Sequence, residues 1–254
     1  MKRLRHSSTI LVLALALSFL AADWFNDSAR ASASKISQDS DLQKMTANLH
    51  WLGHASFRID AEGQVIYLDP FQLTGGPKAD LILISHNHSD HCSPADVAKI
   101  QKPETLIVTV AQAAEKLTGQ IKLIKPGEEI IIKGITLKTI PAYNINKFRS
   151  PGVPFHPKES NYVGFILKVG GQSLYHAGDT DFIPEMQGLG VDIALLPVSG
   201  IYVMTAAEAV EAAKAIQPKL AVPMHVGGPI GSLTDAQRFR DAYPGQAVIL
   251  PLEK

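Results

Sequence analysis

The segment that most limits what this chain can fold into is Leu81-Ile82-Leu83-Ile84-Ser85-His86-Asn87-His88-Ser89-Asp90-His91. The run from Asp80 to Ser85 has the length and composition of a strand buried on both faces, and the histidine cluster begins where that strand ends. His86 and His88 are two apart, so in extended backbone leaving the strand both imidazoles point to one side and can grip one metal ion. Asp90 and His91 are adjacent and cannot share a direction in extended chain, but a turn at Ser89 swings both toward a second ion. The plain alternative is a polar surface loop. Three histidines and an aspartate in six residues, from nine histidines in the whole chain, favour metal. Imidazole and carboxylate ligands suit Zn²⁺, with Mn²⁺ or Fe²⁺ as alternatives, whereas Mg²⁺ and Ca²⁺ ask for oxygen alone.

The surrounding pattern places this cluster in an α/β chain. Strand-like segments 49–52, 55–59 and 65–68 precede it, separated by Gly53-His54 and Glu62-Gly63, which are turn signals. A helix after Ser93-Pro94, a strand over 105–109 and a helix over 111–117 follow. Strands return at 129–132, 135–140, 162–169 and 173–176. Then come strand 192–196, helix 206–216, strand 220–223, helix 235–242 and strand 247–250. Two halves, each of strands followed by helices, predict two sheets packed face to face with helices outside. Between Pro141 and Ser160 lies a long loop with four prolines, read as a lid or wall of the active site.

The amino terminus differs from the rest. Lys2, Arg3, Arg5 and His6 open it, Ile10 to Leu20 is an apolar run broken only by Ser18, and Ala31-Ser32-Ala33 offers a small-residue cleavage site. Residues 1–33 therefore read as a signal peptide, the run being shorter than the roughly 20 residues of a spanning helix. Residues 34–254 read as a single domain, exported to the periplasm or secreted. Without residues 1–33 the balance of 24 basic and 24 acidic side chains becomes slightly acidic, and no Lys/Arg run survives, so a nucleic-acid partner is not expected. Cys92 is the only cysteine, which excludes an intramolecular disulfide; it reads as a small buried residue.

The sequence from Ser85 to His91 resembles the HxHxDH signature of the metallo-β-lactamase superfamily. That resemblance implies an αββα four-layer sandwich and hydrolysis at a one- or two-metal centre. It extends over roughly residues 48 to 228, and carries with it Asp69 in Leu68-Asp69-Pro70, Asp179 in Gly178-Asp179-Thr180 and His225 in Met224-His225-Val226. By resemblance Asp69 orients the metal loop, Asp179 bridges the two ions, and His225 binds the second. His86, His88, Asp90 and His91 complete the implied ligand set. Trp51-Leu52-Gly53-His54, Asp69-Pro70, Pro141-Ala142 and Gly178-Asp179-Thr180 are most similar to the branch containing the L-ascorbate-6-phosphate lactonase and the N-acyl phosphatidylethanolamine phospholipase D. That branch has a histidine ligand just after Pro-Ala, where this chain has Tyr143-Asn144. Three alternatives stand: His156 folds back to replace it, Asn144 binds weakly, or the site holds one ion. His54 and His176 read as core or supporting histidines.

The expected activity is metal-dependent hydrolysis of an ester, lactone, amide or phosphodiester bond in a small molecule. The metals lower the pKa of a water toward about 7, and Asp90 both ligates and orients the nucleophile. A phosphodiesterase acting on membrane lipid and a non-catalytic metal-binding protein are the alternatives.

Overall fold

Tight reversals of the chain at Glu62-Gly63, Lys133-Gly134 and Gly170-Gly171 create the first strands of each sheet. Both residues of each pair have positive φ, the backbone that matches the twist of a two-residue hairpin. The computed structural model describes residues 43–253; the expected signal segment, 1–33, lies outside them. Among the described residues no helix is long and apolar enough to cross a membrane. Residues Ala47–Lys254 form one compact unit.

The first sheet contains β1 (Leu49–Gly53), β2 (Ser56–Ala61), β3 (Gln64–Leu68), β4 (Leu81–Ile84), β5 (Leu106–Thr109) and β6 (Gln120–Leu123), side by side in that order. Pairing is antiparallel from β1 to β3 and parallel from β3 to β6. The parallel crossovers carry α1 (Pro94–Ile100) and α2 (Ala111–Ala114). Ser93 caps α1 by accepting from Asp96 N, with Pro94 in the first turn, as the sequence predicts. Helix α2 ends before the expected Leu117, because Lys116 N and Leu117 N bond only three residues back, to Ala113 and Ala114.

The second half supplies β7 (Glu129–Ile132) and β8 (Ile135–Pro141), then a separate hairpin of β9 (Phe148–Ser150) and β10 (Val153–Pro154). It continues with β11 (Val163–Val169), β12 (Gln172–His176), β13 (Ile193–Pro197), α3 (Ala206–Ile216), β14 (Leu220–Met224) and α4 (Leu233–Ala242). The second sheet has the order β14-β13-β12-β11-β8-β7, parallel over its first three strands and antiparallel over the rest. Strands β4, β13 and β14 are buried along their whole length, as continuous apolar runs require. The inner faces meet where Phe57 of β2 packs edge-on against His176 of β12, with ring centroids 6.0 Å apart. Helices α3 and α4 pack on each other and on β13 and β14. The result is the expected four-layer arrangement.

Two expectations are corrected. Residues 247–250 do not form a strand: Ala221 N bonds Gln246 O and Val248 N bonds Ala221 O, and pairing stops there. The next residue of β14 on that edge is Pro223, which has no N–H to donate. The long loop is not structureless, since β9 and β10 pair within it and a 3₁₀ turn covers Lys158–Ser160. It does form a wall of the site.

Candidate metal centre

The sequence-predicted ligands converge at the carboxyl ends of strands from both sheets. The His86–His91 segment follows β4, Asp69 follows β3, Asp179 lies just past β12, and His225 follows β14. Parallel strands end together on one edge, which is why an α/β sheet concentrates its chemistry there. Three of the participating residues have left-handed backbone without being glycine: His54 (φ 52°), Asp69 (φ 43°) and His225 (φ 62°). Such strain costs about 1–3 kcal/mol per residue and persists only where the surroundings hold it. Here they do: His54 N bonds Val226 O and His225 N bonds His54 O, tying the turn after β1 to the end of β14.

Two groups of donors with separate members form, each with ligand atoms within 4.8 Å of one another, and a third, Asp69, His86 and His91, shares its histidines with them. His86, His88 and His156 make the first; His54, Asp90, His91 and His225 make the second. Asp179 touches both. Its Oδ2 lies 3.4 Å from His156 Nε2, 3.3 Å from His225 Nε2 and 3.9 Å from His86 Nε2, and its Oδ1 lies 3.1 Å from His91 Nε2. Despite these approaches, the buried atoms His86 Nε2, His91 Nε2, His225 Nε2 and Asp179 Oδ1 have no hydrogen-bond partner. Four unsatisfied polar atoms in one buried spot would cost several kcal/mol if nothing else engaged them. The donor set fits divalent ions.

The opposite ring nitrogens are held from outside. His91 Nδ1 donates to Asp69 Oδ2 at 2.7 Å, and Asp69 also accepts from Ser85 N (2.7 Å) and Ser85 Oγ (2.6 Å). His86 Nδ1 meets Ser85 Oγ at 2.9 Å, and His225 Nδ1 meets Ser199 Oγ at 2.9 Å. This fixes each imidazole with Nε2 facing inward, the usual support for a metal-binding histidine. Asp69 therefore orients the loop, as the resemblance implied.

Asn144 and His156 form one device. Asn144 Oδ1 accepts from His156 N at 2.8 Å and His156 Nδ1 at 2.9 Å, while Asn144 Nδ2 donates to Asp181 Oδ1 (3.2 Å) and Tyr202 O (2.8 Å). Both polar ends of Asn144 are committed, so it does not face the donors. His156 instead brings Nε2 to 3.1 Å from His88 Nδ1. Of the three alternatives left open by the sequence, the geometry favours the first.

Charge follows burial and neighbours. Desolvation, with His91 nearby, pushes His86 well below the ordinary imidazole pKa; desolvation and His156 lower His88 to about 4. Neutral rings are what a metal needs. Burial would lower His91, but Asp179 and Asp69 raise it well above the usual value. Burial would also raise both aspartates, yet His225 and His91 hold Asp179 well below the carboxylate range, and the His54 bond with His91 holds Asp90 at about 2.

Sequence reasoning placed His54 among supporting residues, and the structure sets its Nε2 3.1 Å from Asp90 Oδ2, within the second donor group. The signal was present in the turn Gly53-His54, whose strain nothing in the pattern revealed. His176 is structural: its Nε2 donates to Ala55 O at 2.8 Å and its Nδ1 accepts from Gly178 N at 3.2 Å. Cys92 is buried away from the donors, its Sγ 3.8 Å from Ala113 O, and burial pushes its thiol up to about 11. The centre opens into a cleft of about 430 Å³ lined by Phe71, His88, Asp90, Arg149, Phe155 and Tyr202, among others.

Residues 48–225 match the model of the Beta-lactamase superfamily domain. The chain belongs to that superfamily. Within it, the chain is 33% identical over 227 residues to a UPF0173 metal-dependent hydrolase of Carboxydothermus hydrogenoformans, covering 79% of this chain and 98% of that one. It is thus a metal-dependent hydrolase of the metallo-β-lactamase fold. A solved structure from Parabacteroides distasonis, 32% identical, superposes with a TM-score of 0.70 over 81% of this chain and 93% of its own. Igni18, a metallo hydrolase from Ignicoccus hospitalis, shares the fold at 24% identity, TM-score 0.63, over 81% of this chain and 95% of its own.

Proposed function

We propose that this superfamily member is a dinuclear hydrolase, with zinc as the preferred metal, acting on an ester, lactone, amide or phosphodiester bond of a small molecule. The observation that carries the reading is the convergence of unpartnered His86, His91 and His225 nitrogens and Asp179 Oδ1 on one buried spot between the two donor groups. His86, His88 and His156 would hold one ion, Asp90, His91 and His225 the other, and Asp179 would bridge. Two divalent ions there supply Lewis-acid polarisation of the bond under attack and bring the pKa of a water close to neutrality.

The chain's own residues do the rest. Asp90, whose side chain is 19% exposed on the cleft side, is ionised throughout the neutral range and accepts a hydrogen bond from the attacking water, orienting it. The hydrogen bond between His54 Nε2 and Asp90 Oδ2 fixes the carboxylate rotamer. Phe71, Phe155 and Ile230 exclude solvent around the scissile bond. The basic and apolar opening of the chain supports export, which amino-terminal sequencing of the mature protein tests.

Metal content per chain should be measured on purified protein, with ester, lactone and bis-phosphodiester probes assayed before and after chelation. Two zinc equivalents and chelator-sensitive turnover are expected. One inert equivalent, or no metal, would overturn the dinuclear reading.

A further inference from the structure

The structure holds four described arginines, and three are committed to carboxylates: Arg58 to Asp60 and Glu253, Arg238 to Asp235, and Arg240 to Asp241. Arg149 is different. Among the described residues no Asp or Glu pairs with it, and its polar contact is a long one, Nη2 to Phe155 O at 3.5 Å. It stands on β9, exposed, at the wall of the metal cleft. Its neighbour Lys147 cannot play the same part, because its Nζ is engaged by both Glu208 oxygens at 2.8 and 2.9 Å. Lys158, farther along the loop, is bound to Glu185.

Arg149 is nonetheless placed rather than loose. Its guanidinium lies 5.6 Å from the centre of the Phe155 ring, and Phe155 in turn packs edge-on against Tyr202 with centroids 4.5 Å apart. Phe155 immediately precedes His156 in the chain, and Tyr202 O receives Asn144 Nδ2, so the stack is anchored to the device that positions His156. Phe71, Pro229 and Ile230 continue the apolar lining. The carboxylates of the cleft, Asp90 and Asp179, are both turned to the metal donors. What remains for a substrate is an apolar, partly aromatic trough with one planar, unneutralised cation at its rim.

We infer that the substrate is a small organic anion: an apolar or aromatic body seated against Phe71, Phe155 and Tyr202, bearing a carboxylate or phosphate, separate from the scissile bond, that Arg149 engages. The five-donor guanidinium fork matches either anion with two parallel hydrogen bonds, and stacking on Phe155 orients the fork beforehand. This specificity rests on the cleft being the hydrolytic site, as proposed above.

The test uses the metal-loaded protein and inert ligands, so that it reads recognition without needing turnover. Binding of 4-phenylbutyrate, 3-phenylpropyl phosphate and the neutral 4-phenylbutanamide is measured by calorimetry for the wild type, Arg149→Ala and the distant surface control Lys122→Ala. The wild type should prefer the two anions over the amide by about five- to tenfold, the range for a charged hydrogen bond at an exposed rim. Arg149→Ala should lose that preference, and Lys122→Ala should keep it. Equal binding of anion and amide by the wild type would overturn the inference. So would a preference that survives Arg149→Ala, since the anion would then be binding at the metals. Metal content measured on the same samples keeps the two readings separate: a protein without metal fails the hydrolase proposal, whereas a metal-loaded protein without Arg149-dependent selectivity fails this one alone.

Discussion

Replacing Asn144 by alanine should uncouple one metal position from the other. The side chain is buried and makes four hydrogen bonds, two received from His156 and two donated to Asp181 and Tyr202. Alanine leaves His156 N without its side-chain acceptor in a buried place, at about 1–3 kcal/mol, and frees the imidazole to rotate. The backbone bond from residue 144 N to His156 O (2.9 Å) survives, so the loop keeps its base and the global loss should stay near 2–4 kcal/mol. Loss of a partner that orients a metal-binding histidine weakens metal affinity by about 10–100-fold. Bound metal is read against a graded competing chelator. Asn144→Ala should release one equivalent at correspondingly lower chelator and hold the other as the wild type does, because Asp90, His91 and His225 make no bond to Asn144. If both equivalents shift together, or neither shifts, the assignment of His156 to the first donor group is refuted.

Four further outcomes follow from the same geometry. Chelation should abolish turnover and lower the thermal midpoint, since ligands bound only by the native state stabilise it in proportion to ln(1 + [L]/Kd); an unchanged midpoint would contradict burial of the donors. Gly178→Ala would place a methyl 2.9 Å from Val163 O at φ +64°, so the urea midpoint should fall by the equivalent of about 1–3 kcal/mol and metal content with it. Glu208, held at about 2 from its usual 4.5 by Lys147, Thr205 and Asn146 against a burial cost, has a depressed folded pKa. Its contribution is therefore present above pH 4.5 and disappears as pH falls toward 2, and the stability gap between wild type and Glu208→Gln should close over that window in a series of acid denaturation curves. Finally, the Cys92 thiol, raised to about 11 by burial, should resist thiol reagents in the native protein and react at once in denaturant.

What the sequence disclosed was whatever repeats at short range. The run Leu81–Ile84, the two-residue turns and the capping residue Ser93 are local signals, and the elements they mark appear within a residue or two. The spacing of His86, His88, Asp90 and His91 likewise carries its own geometry. Asp179 and His225 were reachable by resemblance, and the fold brings them to the same spot. His54 and His156 were not assignable from spacing, because each arrives through a long-range contact: a strained turn bonded to Val226 in one case, a loop folded back onto Asn144 in the other. The missing fifteenth strand depends on Pro223, whose effect is felt by a partner more than twenty residues away. Arg149 gave no sequence signal, since only the tertiary structure shows which arginine lacks a carboxylate.

The division of donors between the sheets has a temporal consequence. The first sheet brings His54 and the His86–His91 segment, and the second brings His156, Asp179 and His225. Contacts this distant along the chain form late, after the entropy of closing the intervening loops has been overcome. An ion captured early by His86-Asn87-His88-Ser89-Asp90-His91 alone would be loosely held and would exchange in solution. Once the sheets have closed, an ion there would be held by side chains from both of them, with His86, His91, Asp179 and His225 buried and His88 and Asp90 facing the cleft. Isotope exchange at the finished centre should therefore be slower than at the His86–His91 segment alone, and the difference measures what the donors of the second sheet add to the grip.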